Sequence, residues 1–99
     1  MINEVKSTPI FTKWVKKLKD RQAAVAIAHR IDRVTAGNLG DVKSVGEGVH
    51  ELRIHIGAGY RVYFCNQGEA IIFLLCGGDK SNQQKDIEKA KLLAKEVKS

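Results

Sequence analysis

From residue 8 onward the apolar side chains recur at helical spacing, then alternate, then recur again. Phe11, Trp14, Val15 and Leu18 make one apolar stripe in "STPIFTKWVKKLKD", which predicts a helix. Thr8 can cap it, and Pro9 fits its first turn, where a missing N–H costs nothing. Ahead of it, "INEV" reads as a short strand. Asp20 looks like the cap of a second helix, "RQAAVAIAHRIDRVTAG". Ala24, Ile27, Ala28, Ile31 and Val34 form its expected buried face, with His29 at the boundary and Gly37 as its stop. Almost nothing separates the two helices, so they should make a hairpin.

The rhythm then changes to a period of two. "DVKSV" leaves room for one short strand in a glycine-rich stretch. In "VHELRIHI", Leu52, Ile54 and Ile56 point one way and Glu51, Arg53 and His55 the other. "GAG", Gly57 to Gly59, supplies a three-residue turn. "YRVYFC" resumes with Val62 and Phe64 inward and Arg61, Tyr63 and Cys65 opposite. "EAIIFLLC" is apolar throughout and reads as an interior strand covered on both sides. After "GGDK", Ser81 and Gln84 have capping-box spacing, and Ile87, Ala90, Ala94 and Val97 carry a last helix. The order β-α-α-β-β-β-β-α predicts an α+β domain: a largely antiparallel sheet, an N-terminal helical hairpin and a C-terminal helix, with helices on one face.

Ninety-nine residues fit one domain, and 43% hydrophobic content suits a globular core. No apolar run is long enough for a membrane span. "MINEVKSTPI" lacks the basic and apolar regions of a signal peptide, so a cytoplasmic location is expected. A net charge of +6 favours anionic partners such as nucleic acid, the ribosome or an acidic protein. Cys65 and Cys76 lack metal-ligand spacing, and the histidines are not clustered with them. They read as reduced, small apolar residues, and no metal or cofactor is expected.

A tight "GAG" hairpin would set Ile56 opposite Tyr60, His55 opposite Arg61 and Arg53 opposite Tyr63. Four polar or cationic groups would then share one patch. Two neighbouring guanidiniums repel unless an anion sits between them, and their forks match phosphate oxygens. His55 can exchange a proton near neutral pH, and Tyr63 can stack on a base or donate a hydrogen bond. Lys80 follows two glycines at a helix N-terminus, where backbone N–H groups add anion affinity. Such a set has what RNA cleavage needs: a base, cations for the phosphorane and an acid. The same spacing also admits a plain reading, with Arg53 paired to Glu51 and Tyr63 covering the sheet. Lys13, Lys16 and Lys17 lie off the first stripe, either as a solvated face or as nucleic-acid contacts.

The runs "HELRIHIGAGYRVYF" and "LLCGGDKSNQQKDIEKAKLLA" resemble the killer-protein branch of the RelE/ParE toxin superfamily, near the HigB and phage Gp49-like toxins. The resemblance spans nearly the whole chain. It implies the toxin of a type II toxin–antitoxin pair, with a cognate antitoxin as partner and operator DNA reached only through that complex. RelE and HigB toxins cut mRNA in the ribosomal A site without metal. By that likeness Arg61 matches a phosphate-contacting arginine, Arg53 and His55 occupy a strand that carries basic residues, and Lys80 falls near another basic position. Arg53, Arg61, His55, Tyr63 and Lys80 are the expected catalytic set, and Lys13, Lys16 and Lys17 the expected ribosome contacts. One departure stands out: the C-terminal segment has no tyrosine. ParE relatives share the fold and inhibit DNA gyrase by binding alone, which is the alternative function.

Overall fold

Both expected caps are in place in the computed structural model, which describes residues 3–98. Thr8 accepts from the Phe11 N–H at 3.0 Å and starts α1 (Pro9–Lys16). Asp20 accepts from the Ala23 N–H at 3.1 Å and starts α2 (Arg21–Thr35). Each cap satisfies a donor that the first helical turn leaves without a partner. Gly37, at a φ of +92°, takes the left-handed conformation that ends α2. The first strand, β1 (Glu4–Ser7), begins two residues beyond the start of "INEV", whose Ile2 lies outside the described residues.

Four further strands follow: β2 (Val42–Gly46), β3 (Val49–Ile54), β4 (Tyr60–Asn66) and β5 (Ile71–Gly78). They assemble in the order β1-β5-β4-β3-β2, with β1 parallel to β5 and the other pairs antiparallel. The apolar β5 is therefore interior, as its composition requires. A short 3₁₀ turn (Lys80–Asn82) leads into α3 (Gln83–Lys98). Asp79, rather than Ser81, caps that turn by accepting from the Ser81 N–H at 2.9 Å. The expected capping box is not what starts the final helix.

Helices cover both faces of the sheet, not one. Phe11, Ile27 and Val34 of the hairpin pack on Leu52, Ile54, Val62, Phe64, Ile72 and Leu74. On the other side Ala90 and Ala94 of α3 pack on Val49, Tyr63, Cys65, Leu75 and Cys76. The reason is the continuous apolar run of β5, which offers each face a surface that must leave water. Both cysteines are free and buried on the α3 side. Burial pushes the Cys76 thiol up to about 12, so it is inert at neutral pH.

The buried face of α2 is also rotated from the expected one. Ala23, Ile27 and Val34 are buried, whereas Ala24 is only half-buried and Ala28 is exposed. Arg30 explains the rotation. Its guanidinium turns inward and donates to the backbone carbonyls of Arg53, Leu39 and Asp41. A cation with several donors and no acceptors must face those oxygens, and this brings the Arg30 side of the helix against β3.

The two glycines that end β5 permit close approach from both layers. A Cβ on Gly77 would lie 2.3 Å from the Trp14 ring, and one on Gly78 would lie 1.9 Å from the Asp86 carboxylate. A β-bulge between β4 and β5 sets this end of the strand. Tyr63 pairs with Cys76 while Phe64 pairs with Leu74, leaving Leu75 as the extra residue. Residues 76 and 78 are thereby placed on the α3 side with Arg61 and Tyr63. Among the described residues no helix is long and apolar enough to cross a membrane.

Candidate active site

The alternation of β3 and β4 sends Arg53 and Arg61 to one face of the sheet, as expected, and α3 packs on that face. The register differs by two residues. Ile54 pairs with Tyr60, Arg53 with Arg61 and Glu51 with Tyr63. The strands part after Ile54, so the connection is five residues, 55–59, rather than three. Gly57 and Gly59, at φ of +54° and +75°, supply the left-handed positions of that turn. His55 consequently leaves the ladder instead of facing Arg61.

Between the two opposed arginines lies Glu51, a carboxylate with no solvent exposure. Arg53 Nε donates to its Oε1 at 3.1 Å. The Tyr63 hydroxyl and the Gln83 amide donate to Oε2 at 3.0 and 2.9 Å. Arg61 Nε stands 3.5 Å from the same oxygen, as an ion pair without a hydrogen bond. Burial by itself would raise the Glu51 carboxyl. Hydrogen bonds from Gln83, Arg53 and Tyr63, and the charge of Arg61, outweigh it and hold the group below the usual carboxylate range. Glu51 is thus ionised and compensates one of the two guanidiniums.

The remaining cationic character faces a hollow of about 170 Å³. Arg53, His55, Tyr60, Arg61 and Lys80 line it, with Gly59 at its edge. The Arg53 side chain is 32% exposed, and that of Arg61 only 12%. Arg61 Nη1 donates to the Gly59 carbonyl at 2.9 Å, which fixes the guanidinium at the floor. Lys80 has neither a hydrogen bond nor an ion pair for its ammonium among the described residues, and its backbone N–H reaches the Ala58 carbonyl at 3.4 Å. The helix N-terminus expected beside it is not free for an anion, because the Asp79 carboxylate already occupies it.

His55 sits on the rim with its side chain 72% exposed, and its Nε2 pairs with the Asp41 carboxylate. That hydrogen bond lowers the Asp41 carboxyl below its usual value. Tyr63 cannot stack on a base. It is fully buried, and burial together with the Glu51 charge pushes its hydroxyl well above the ordinary tyrosine value. Its work is to support Glu51. Lys13 and Lys16 on α1, and Lys17 just after it, are exposed, away from the arginines on the opposite sheet face. Lys13 and Lys16 instead edge a separate shallow groove with Ser7, Pro9 and Thr12.

Three participants were not expected from sequence. They are Glu51, which the spacing offers only as a possible partner of Arg53, Gln83, which has no expected role, and Tyr60, expected only opposite Ile56 at the start of its strand. Tyr60 has a half-buried ring at the hollow, tilted against Trp14 at a centroid distance of 6.4 Å. It puts an aromatic ring at the hollow, whereas the C-terminal segment has no tyrosine. An outward-pointing glutamate between strands of basic residues could have flagged Glu51. Nothing local flags Gln83, which arrives from 32 residues away.

The fold has counterparts among known proteins. The family described as phage derived protein Gp49-like matches residues 13–98. An uncharacterized protein of Haemophilus influenzae strain Rd is 53% identical over 97 residues, covering 98% of both chains. Among solved structures, a chain of the intact E. coli RelBE toxin–antitoxin complex superimposes with a TM-score of 0.60. That match spans 78% of this chain and 95% of the other at 14% identity, a likeness of fold.

Proposed function

The chain belongs to the phage-derived Gp49-like family and carries the RelE-like fold, and from that premise we propose that it is a toxin of a toxin–antitoxin pair that cleaves mRNA on the ribosome. The observation that supports this most is the convergence of Arg53, Arg61 and Lys80 on one open hollow, with a single buried carboxylate between the arginines. Two held guanidiniums and the uncommitted Lys80 ammonium outnumber the buried Glu51 carboxylate, and guanidiniums keep their charge at any working pH. A phosphodiester is the ligand that such a fork suits.

The reaction needs no group from outside the RNA and the protein. The 2′-oxygen attacks the adjacent phosphorus, and the bond from phosphorus to the 5′-oxygen breaks. The products are a cyclic 2′,3′-phosphate and a 5′-hydroxyl end. His55 takes the 2′-OH proton: with Asp41 holding Nε2–H, Nδ1 carries the lone pair. Arg53 and Arg61 stabilise the charge that builds on the phosphorane oxygens. Lys80 supplies the proton to the leaving 5′-oxygen. Tyr60 offers a face for a base, a contact of about 1–3 kcal/mol in single-strand binding sites. Lys13, Lys16 and Lys17 contribute a separate basic surface toward ribosomal RNA. The antitoxin would neutralise by covering the hollow or by blocking access to the ribosome.

Mapping mRNA 5′ ends after brief induction tests the reading, with Arg61→Ala as the control. New 5′ ends within translated frames, absent in a folded Arg61→Ala variant, are expected. Intact mRNA together with stalled DNA supercoiling in a gyrase assay would replace the nuclease with the ParE-like alternative. Cleavage undiminished by Arg61→Ala would remove the hollow as its site.

A further inference from the structure

Three hollows meet at His55. The first holds Arg53, Arg61 and Lys80, and the second follows the turn from His55 to Gly59. The third, of about 310 Å³, lies between α2 and the end of β3. Ala26, Ile54 and Ile56 form its apolar part, and His29, Arg33 and His55 edge it. None of the described residues lining any of the three is acidic. Asp41 stands beside this groove, but His55 engages its carboxylate.

Arg33 is four positions beyond His29, so both project from the same side of α2. Their neighbour Arg30 is held by three backbone carbonyls and is not available to a ligand. Arg33 differs: among the described residues its guanidinium has no hydrogen bond and no ion pair. An uncommitted guanidinium beside an apolar-floored groove, continuous with a phosphate-sized hollow, suits a polyanion carrying flat apolar groups.

Resting on the nuclease reading above, we propose that this groove carries the single-stranded RNA flanking the cleaved phosphate. Arg33 contacts a backbone phosphate, and a base or sugar lies over Ala26 and Ile56. A strand held at Arg53 and Arg61 leaves the hollow past His55, and this groove begins at that residue. An RNA too short to pass His55 would not reach Arg33.

Fluorescence anisotropy of the full-length chain with two labelled RNAs tests this, one a trinucleotide and one a longer unstructured strand. For the longer RNA, Arg33→Ala should weaken binding about fourfold near physiological salt and lower the salt slope by about 0.7, the value of one phosphate contact on a single strand. It should leave the trinucleotide unaffected, and Arg33→Lys should recover most of the loss. Arg61→Ala should weaken both probes. Unchanged binding of the longer RNA by Arg33→Ala, with both probes weakened by Arg61→Ala, would overturn the flanking groove and leave the cleavage site standing. An equal loss for both probes in Arg33→Ala would make the groove the primary site and overturn its flanking role. No effect of Arg61→Ala on either probe would instead remove the reading on which the groove depends.

Discussion

Arg53 stands directly across the β3–β4 ladder from Arg61, and both pair with one buried carboxylate, Glu51. Like charges at opposed positions of a sheet repel, so this pairing persists only because an anion is built between them. The anion is held by four side chains that come from β3, β4 and α3. The arrangement leaves an excess of positive charge where a phosphate can enter.

Glu51→Gln should therefore destabilise the fold by about 3 kcal/mol, the cost of leaving buried charge without its partner. The same variant should gain more stability than the parent from an RNA oligonucleotide, because a phosphate then takes the place of the lost anion. Chemical denaturation with and without RNA measures both effects. A variant as stable as the parent would mean that the arginines do not depend on Glu51.

Tyr63 and Tyr60 should respond in opposite ways. Tyr63→Phe removes one hydrogen bond to Glu51 but keeps the ring, so about 1–2 kcal/mol of stability should be lost with RNA cleavage retained. Tyr60→Ala should lower cleavage about tenfold or more through lost base stacking, and Tyr60→Phe should restore it. Cleavage abolished by Tyr63→Phe in a folded protein would return Tyr63 to the chemistry.

The pH dependence of stability has a definite sign. Glu51 lies below its unfolded value when the chain is folded, so its contribution is complete above an unfolded pKa of about 4.3. That contribution disappears as pH falls through the lower, folded value. Tyr63 is shifted upward by burial, and its contribution is complete below about pH 10 and is lost as pH rises beyond that. Burial also raises Asp86, which opposes Glu51 on the acid side. Denaturation midpoints across pH should fall at both extremes. Glu51→Gln should flatten the acid limb and Tyr63→Phe the alkaline one; unchanged limbs would separate these residues from the titration.

Gly77→Ala should cost about 2 kcal/mol or more, because the new methyl would overlap the rigid Trp14 ring, which can clear it only if α1 moves away from β5. Gly78→Ala should cost less, because the overlap there is with the end of the Asp86 side chain, which can rotate away. Chemical denaturation of the two variants measures the difference. A Gly77→Ala variant as stable as the parent would show that α1 can shift without penalty.

Local chemistry determined much of this protein before any tertiary contact formed. Thr8 and Asp20 carry their helix starts in their own side chains, and Gly37 ends α2 by a backbone freedom that few other residues have. The alternation through Leu52, Ile54, Val62 and Phe64 assigned Arg53 and Arg61 to a common face, because a strand's period of two does not depend on its partners. Other features waited for distant parts of the chain. The length of the β3–β4 turn decided that Arg53 faces Arg61 rather than Tyr63, and parity is blind to a shift of two. The covering of both sheet faces, the rotation of α2 toward the Arg30 carbonyl contacts and the arrival of Gln83 at Glu51 all join residues far apart in sequence. A side chain's period tells which way it points; only packing decides what stands opposite it, and the charge in this hollow is set by what stands opposite.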